Sequence, residues 1–174
     1  MDQAHAILKQ YWGYDKFRLL QKDIIDAVIR HEDVLALLPT GGGKSICFQV
    51  PALAMEGLCI VVTPLIALMK DQVANLNNKG IKAEALFSGM RKREIDIVLD
   101  NCVYGGIKFL YVSPERLETD IFKARVTKMH VSLIAVDEAH CISHWGYDFR
   151  HSYLRIAAIR NLLAGTSLIA LTAT

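Results

Sequence analysis

A three-layer α/β fold, a parallel sheet with helices on both faces, is predicted by three observations. Short apolar runs of strand length alternate with longer segments of helical pattern along the whole chain. The central runs are apolar throughout rather than alternating, as strands covered on both faces require. Composition agrees, with 52% hydrophobic and 22% charged residues and a mean hydropathy of +0.25.

Taken in order, residues Asp2 to Trp12 have helical composition, and Gly13 ends the segment. A second helix is expected from about Arg18 to Arg30, with Leu20, Ile24, Ala27 and Val28 on one stripe. Asp33 to Leu38 reads as the first strand, followed by a glycine loop and a helix that Pro51 should bend or end. Leu58 to Thr63, rich in β-branched residues, is a buried strand. The alternation continues with a helix over Leu65 to Asn78, a strand over Ala83 to Phe87, a helix over Arg91 to Tyr104 and a strand over Ile107 to Val112. A shorter helical piece follows Pro114, then the strand Val131 to Val136, a polar and aromatic segment, a helix from about Ser152 to Leu163 and a last strand from Ser167 to Leu171. Such units cross over right-handedly and place ligands at the carboxyl ends of the strands.

At 174 residues the chain is expected to be one domain. Its net charge of +2 leaves any nucleic-acid contact to a local patch. Cys47, Cys59, Cys102 and Cys141 show no C-x-x-C pair, and read as small hydrophobes in a reducing compartment. The start has no basic segment followed by an apolar core, and the apolar stretch Leu58 to Met69 is too short to span a bilayer. A soluble, cytoplasmic protein without a membrane partner is the expectation.

Pro39-Thr40-Gly41-Gly42-Gly43-Lys44-Ser45 lies between the first strand and its helix. Glycines let backbone N–H groups approach a polyphosphate, the helix N-terminus adds positive potential, and Lys44 adds a mobile cation. Ser45 is placed to bind the accompanying magnesium. The usual first glycine of such a loop is replaced by Leu38, so the pattern match is partial and rests on its strand–loop–helix context. A solvated glycine turn is the plain alternative.

Asp137-Glu138-Ala139-His140 follows the strand Val131 to Val136 directly. An aspartate there can hold magnesium, and the adjacent glutamate can deprotonate a water for attack on a γ-phosphate. Alone, such a pair is more often a helix cap with a first-turn acid. About ninety residues after a glycine loop in an α/β pattern, it reads as the second half of an ATP site.

With these residues in view the chain resembles the RecQ DNA helicases of superfamily two. Asp137 to His140 matches the DEAH form of motif II, and Pro39 to Ser45 matches their motif I, in which Leu38 is ordinary. Gly13 to Gln21 resembles motif 0, Thr63 to Gln72 motif Ia, Tyr111 to Leu117 motif Ib and Leu171 to Thr174 motif III. Cys141 to Arg150 resembles the aromatic-rich loop that follows DEAH in this family. Three positions depart from the usual pattern: Leu19 and His151 stand where proline is common, and His144 where glutamine is.

The resemblance implies the first RecA-like lobe of an ATP-dependent DNA helicase, residues 1–174, with residues 1–30 carrying the adenine-recognition motif and a second lobe lying outside this chain. It implies ATP and Mg2+ as cofactors, and single-stranded and partly duplex DNA as partners. Lys44, Asp137, Glu138 and His140 would be catalytic, with magnesium held by Ser45 and Asp137. Tyr14, Arg18 and Gln21 would bind adenine, and Thr40, Gly41, Gly42, Gly43, Lys44 and Ser45 the phosphates. Pro64, Lys70, Arg116, Trp145, Phe149 and Arg150 would contact DNA, the aromatic faces by stacking on unpaired bases. Thr172 and Thr174 would couple the two activities. Taken alone, Gln21 could be an exposed helix residue, Lys70 and Arg116 solvated charges, and the loop aromatics packing residues. A non-motor nucleic-acid binding module and another nucleotide-binding enzyme such as a small-molecule kinase are the rival readings.

Overall fold

The structure is a computed structural model that describes residues 2–39, 43–139 and 149–173, with side chains described from residue 154 onward in the last segment. In chain order it contains α1 (Gln3–Trp12), α2 (Gln21–Ile29), β1 (Val34–Leu38), α3 (Ile46–Ala54), β2 (Leu58–Val62), α4 (Ile66–Asn78), β3 (Ala83–Leu86), α5 (Lys92–Tyr104) and β4 (Phe109–Val112). A 3-10 turn over Pro114–Glu118 leads to α6 (Asp120–Val126), β5 (Val131–Val136), α7 (Phe149–Leu162) and β6 (Ser167–Ala173). The strands form one parallel sheet in the order β1-β6-β5-β2-β4-β3. This is the α/β architecture that the alternation predicts.

Strand parity sorts the core into two layers. Ala36 and Leu38 of β1, Cys59 and Val61 of β2, Tyr111 of β4 and Leu133 and Ala135 of β5 pack under α3 and α4. The intervening Ile60, Val62, Leu110, Val112, Ile134 and Val136 pack under α5, α6 and α7. Ile60 and Val61 of the interior strand β2 are both fully buried, each stabilising the fold by about 1.5–3 kcal/mol. α1 docks outside the first layer, where Ala4, Ile7 and Leu8 meet Ile25 of α2 and Val50 of α3.

The helix ends show where local chemistry decided the boundary. Asp2 caps α1 by accepting from the His5 N–H at 2.9 Å. Gly13 closes α1 in the left-handed region at φ 74°, and its N–H donates to the Lys9 carbonyl at 3.0 Å. The second helix begins at Gln21 rather than about Arg18, because Leu20 takes a left-handed φ of 70°. That turn lets the Gln21 Oε1 accept from the Arg18 N–H at 2.7 Å. Nor does Pro51 end α3, which runs to Ala54. Cys47 to Ala52 are all buried, so tertiary packing holds the turn that the missing N–H weakens.

Candidate nucleotide site

The site is assembled by strand parity at the carboxyl edge of the sheet. Asp137 continues the parity of Leu133 and Ala135, so it stands on the α3 side, and its N–H extends the ladder to the Val62 carbonyl at 2.9 Å. Glu138 takes a left-handed φ of 55°, unusual for a residue with a side chain. Its N–H donates to the Asp137 Oδ1 at 2.9 Å. From the other side Lys44, in the turn before α3, brings its Nζ to 2.8 Å from the Glu138 Oε1 and 3.4 Å from the Asp137 Oδ1. Residues 93 and 94 positions apart are thus joined in one ion cluster. Asp137 is only 2% exposed.

Burial raises the Asp137 carboxyl above its usual range, and the Lys44 ammonium opposes that rise without cancelling it. Burial likewise disfavours the Lys44 charge, but the bond to Glu138 and the field of Asp137 outweigh it and hold the ammonium above its usual range. The stability linked to the Asp137 carboxyl is therefore fully present below its ordinary pKa and is lost as pH rises through the higher folded value. Asp137→Asn is accordingly expected to raise the melting temperature of the nucleotide-free protein at pH 7 by a few degrees, with the gain shrinking as the pH approaches 4. Scanning calorimetry at the two pH values measures this difference.

Gly43 has a φ of 73°, and its carbonyl accepts from the Gln21 Nε2 at 3.1 Å. A Cβ on Gly43 would lie 2.4 Å from that nitrogen. Gln21, at 2% exposure, is therefore not an exposed helix residue but a strut between motif 0 and the glycine loop. Gly43→Ala is expected to lower the melting temperature by about 2–8 °C, from a left-handed strain of ~1–2 kcal/mol. Tyr14, Arg18, Gln21 and Gly43 line one cavity of about 600 Å³, with Trp12 and Ile46 also on its walls. The Ser45 hydroxyl makes no capping bond to α3.

Pro64 lies just past β2, Lys70 on α4 and Arg116 in the 3-10 turn. The structure brings the last two together at Phe87, one residue beyond β3. The Lys70 Nζ lies 4.6 Å from the centroid of the Phe87 ring, and the Arg116 Nε donates to the Phe87 carbonyl at 3.0 Å. Phe87 was not singled out by sequence, though an aromatic closing a strand before Ser88-Gly89 was an available signal. Thr172 of β6 is half-buried and lies in register with Leu37 of β1, the strand that leads into the glycine loop. Thr40, Gly41, Gly42, His140, Trp145 and Thr174, and the side chains of Phe149 and Arg150, lie outside the described residues. A further feature absent from the sequence reading is a buried polar chain from Gln49 through Tyr111 to Gln72.

A lysine ahead of α3 that meets an acidic pair at the carboxyl edge of a parallel sheet is the geometry expected of a phosphate-loop α/β domain. The chain belongs to the DEAD/DEAH box helicases, whose family model matches residues 18–174. It is similar to "ATP-dependent DNA helicase RecQ" of Haemophilus influenzae, 42% identical over 171 residues, and to the protein of that name in Bacillus subtilis, 44% identical over 176 residues. Those alignments cover 98% and 100% of this chain but 28% and 30% of the relatives, so the chain spans under a third of their length. Among solved structures, the DUF1998 helicase MrfA bound to DNA and AMPPNP shares the fold with a TM-score of 0.82 at 19% identity, over 100% of this chain and 26% of that one.

Proposed function

We propose that this lobe binds Mg-ATP between its glycine loop and its acidic pair, and single-stranded DNA across the carboxyl edge of its sheet, as the first half of a DNA helicase motor. The observation that carries the reading is the Lys44 ammonium, within 3.4 Å of both Asp137 and Glu138. The relatives are named as ATP-dependent DNA helicases, and the structural neighbour holds DNA and an ATP analogue. The whole motor's activity, with a second lobe in cis and partly duplex DNA as substrate, is part of the same proposal.

Each residue has a role that its surroundings favour. Lys44 would pair with the β- and γ-phosphates in exchange for its present carboxylate partners. Gly43, whose backbone is already left-handed, and the N-terminus of α3 would meet phosphate oxygens with N–H groups. The donor set suits magnesium: a buried carboxylate at Asp137 and a hydroxyl at Ser45 that is not used as a cap. The ion would neutralise charge on the transferring phosphoryl group. Glu138, freed from Lys44, would accept the proton of an attacking water. Tyr14 and Arg18 flank the cavity in which Gln21 could turn its amide to an adenine edge. Lys70 and Arg116, gathered around Phe87, and Pro64 would track a single strand, while Trp145 and Phe149 would stack on its bases and Arg150 would meet a phosphate or a base plane. Thr172 and Thr174 would report between the sites, and His140 would join the catalytic group. A cytoplasmic location belongs to the same proposal, and the buried free thiols of Cys47, Cys59 and Cys102 support it.

One lobe cannot surround the transferring phosphoryl group, so residues 1–174 alone should bind adenine nucleotide weakly and hydrolyse it poorly. Phosphate release by this chain, with and without single-stranded DNA, tests that expectation. Robust DNA-stimulated turnover from the isolated lobe would contradict it.

A further inference from the structure

Gln49 is a polar residue in the middle of α3, where its neighbours Cys47, Phe48, Val50 and Pro51 are all buried. It stands one turn beyond Ser45, whose carbonyl accepts from the Gln49 N–H at 2.9 Å. At 5% exposure its side chain needs an internal partner. The Gln49 Nε2 donates to the Tyr111 hydroxyl at 3.0 Å, and that hydroxyl donates to the Gln72 Oε1 at 2.6 Å. Tyr111 is fully buried, on the same sheet face as Asp137. Burial holds its phenol well above the usual range, so the hydroxyl keeps the proton it donates. Gln72 sits on α4, two residues from Lys70. One hydroxyl thus joins the helix that begins at the phosphate loop to the helix that presents Lys70 to Phe87.

We infer that Tyr111 is a positioning residue that couples the two ligand sites, transmitting a shift of α3 at its phosphate end to α4 and its DNA-facing lysine. The inference rests on the Mg-ATP and DNA reading above and adds a physical route between the sites. The two bonds meet at one fully buried hydroxyl between two helices, with Gln49 and Gln72 also on the wall of a cavity of about 530 Å³, so movement of Gln49 is passed through Tyr111 to Gln72. Packing alone would link the helices less directionally; the Phe48 ring of α3 meets the Tyr111 ring in a tilted arrangement with centroids 6.5 Å apart.

The test is a linkage experiment on the full-length protein. Affinity for a fluorescent, non-hydrolysable Mg-ATP analogue is titrated with and without single-stranded oligothymidine, and the ratio gives the coupling. Wild type is expected to show a coupling of ~5-fold or more. Tyr111→Phe keeps the ring and loses the hydroxyl; it should bring the ratio to near one, with each ligand's separate affinity within ~2-fold of wild type. Because that variant leaves the buried Gln49 amide and the half-buried Gln72 amide without their shared hydroxyl, Gln49→Leu, Tyr111→Phe and Gln72→Leu are also combined, which removes both amides and should restore the melting temperature. A purely structural role for Tyr111 predicts that coupling returns with stability in the combined variant; the relay predicts that it stays lost. Wild-type coupling that survives in both variants overturns the relay and leaves the nucleotide reading standing. Wild-type protein that binds neither probe overturns both.

Discussion

Glu138→Gln is expected to lower ATP turnover in the full-length protein by ~10²–10⁴-fold, the range over which a positioned general base acts, while Mg-ATP still binds. The side chain is confined by its 2.8 Å bond to Lys44 and by a backbone held at φ 55°. Glutamine retains the shape and an oxygen that can accept from Lys44, but it cannot take a proton from water. Binding titrations and phosphate release on the same preparation separate the two effects. A variant that hydrolyses ATP at the wild-type rate would remove Glu138 from the role assigned.

Lys44→Ala should be the more damaging change, because it acts on both nucleotide and fold. Loss of a positioned cation at a charge-transfer site is expected to lower turnover by ~10²–10³-fold, with weaker nucleotide binding as well. It also leaves Asp137, 2% exposed, and Glu138 facing each other without their shared cation. Removing one partner of a buried ion cluster costs ~3 kcal/mol. The carboxyl of Asp137, already raised by burial, would rise further once Lys44 no longer opposes that effect. The loss of stability should therefore be larger at pH 8 than at pH 5, where the cluster can take up a proton. Thermal melts at the two values measure it.

The parts of this molecule that are periodic or local could be read before any coordinates. Gly13 ended its helix because the chain needs a left-handed residue there, and Leu58 to Val62 formed a wholly buried strand because nothing polar interrupts it. The meeting of Lys44 with Asp137 and Glu138 was legible too, since both follow parallel strands and must emerge at the same edge. Leu20 illustrates what local pattern misses: its left-handed turn follows from the contacts of Gln21 with Arg18 and Gly43, which no helical periodicity encodes. Phe87 and the Gln49–Tyr111–Gln72 chain were hidden for a related reason. Their partners lie 17 to 62 positions away in sequence and are set by strand order and register.

In the proposed function the glycine loop and the acidic pair form one magnesium-dependent nucleotide site. The most direct measurement is equilibrium titration of the protein with a fluorescent ATP analogue, in magnesium and in chelator, for wild type and Asp137→Asn. Saturable binding that requires magnesium and is lost in Asp137→Asn, with the variant at least as heat-stable as wild type, is the predicted result. Binding of equal strength in chelator, or unchanged by Asp137→Asn, would contradict it.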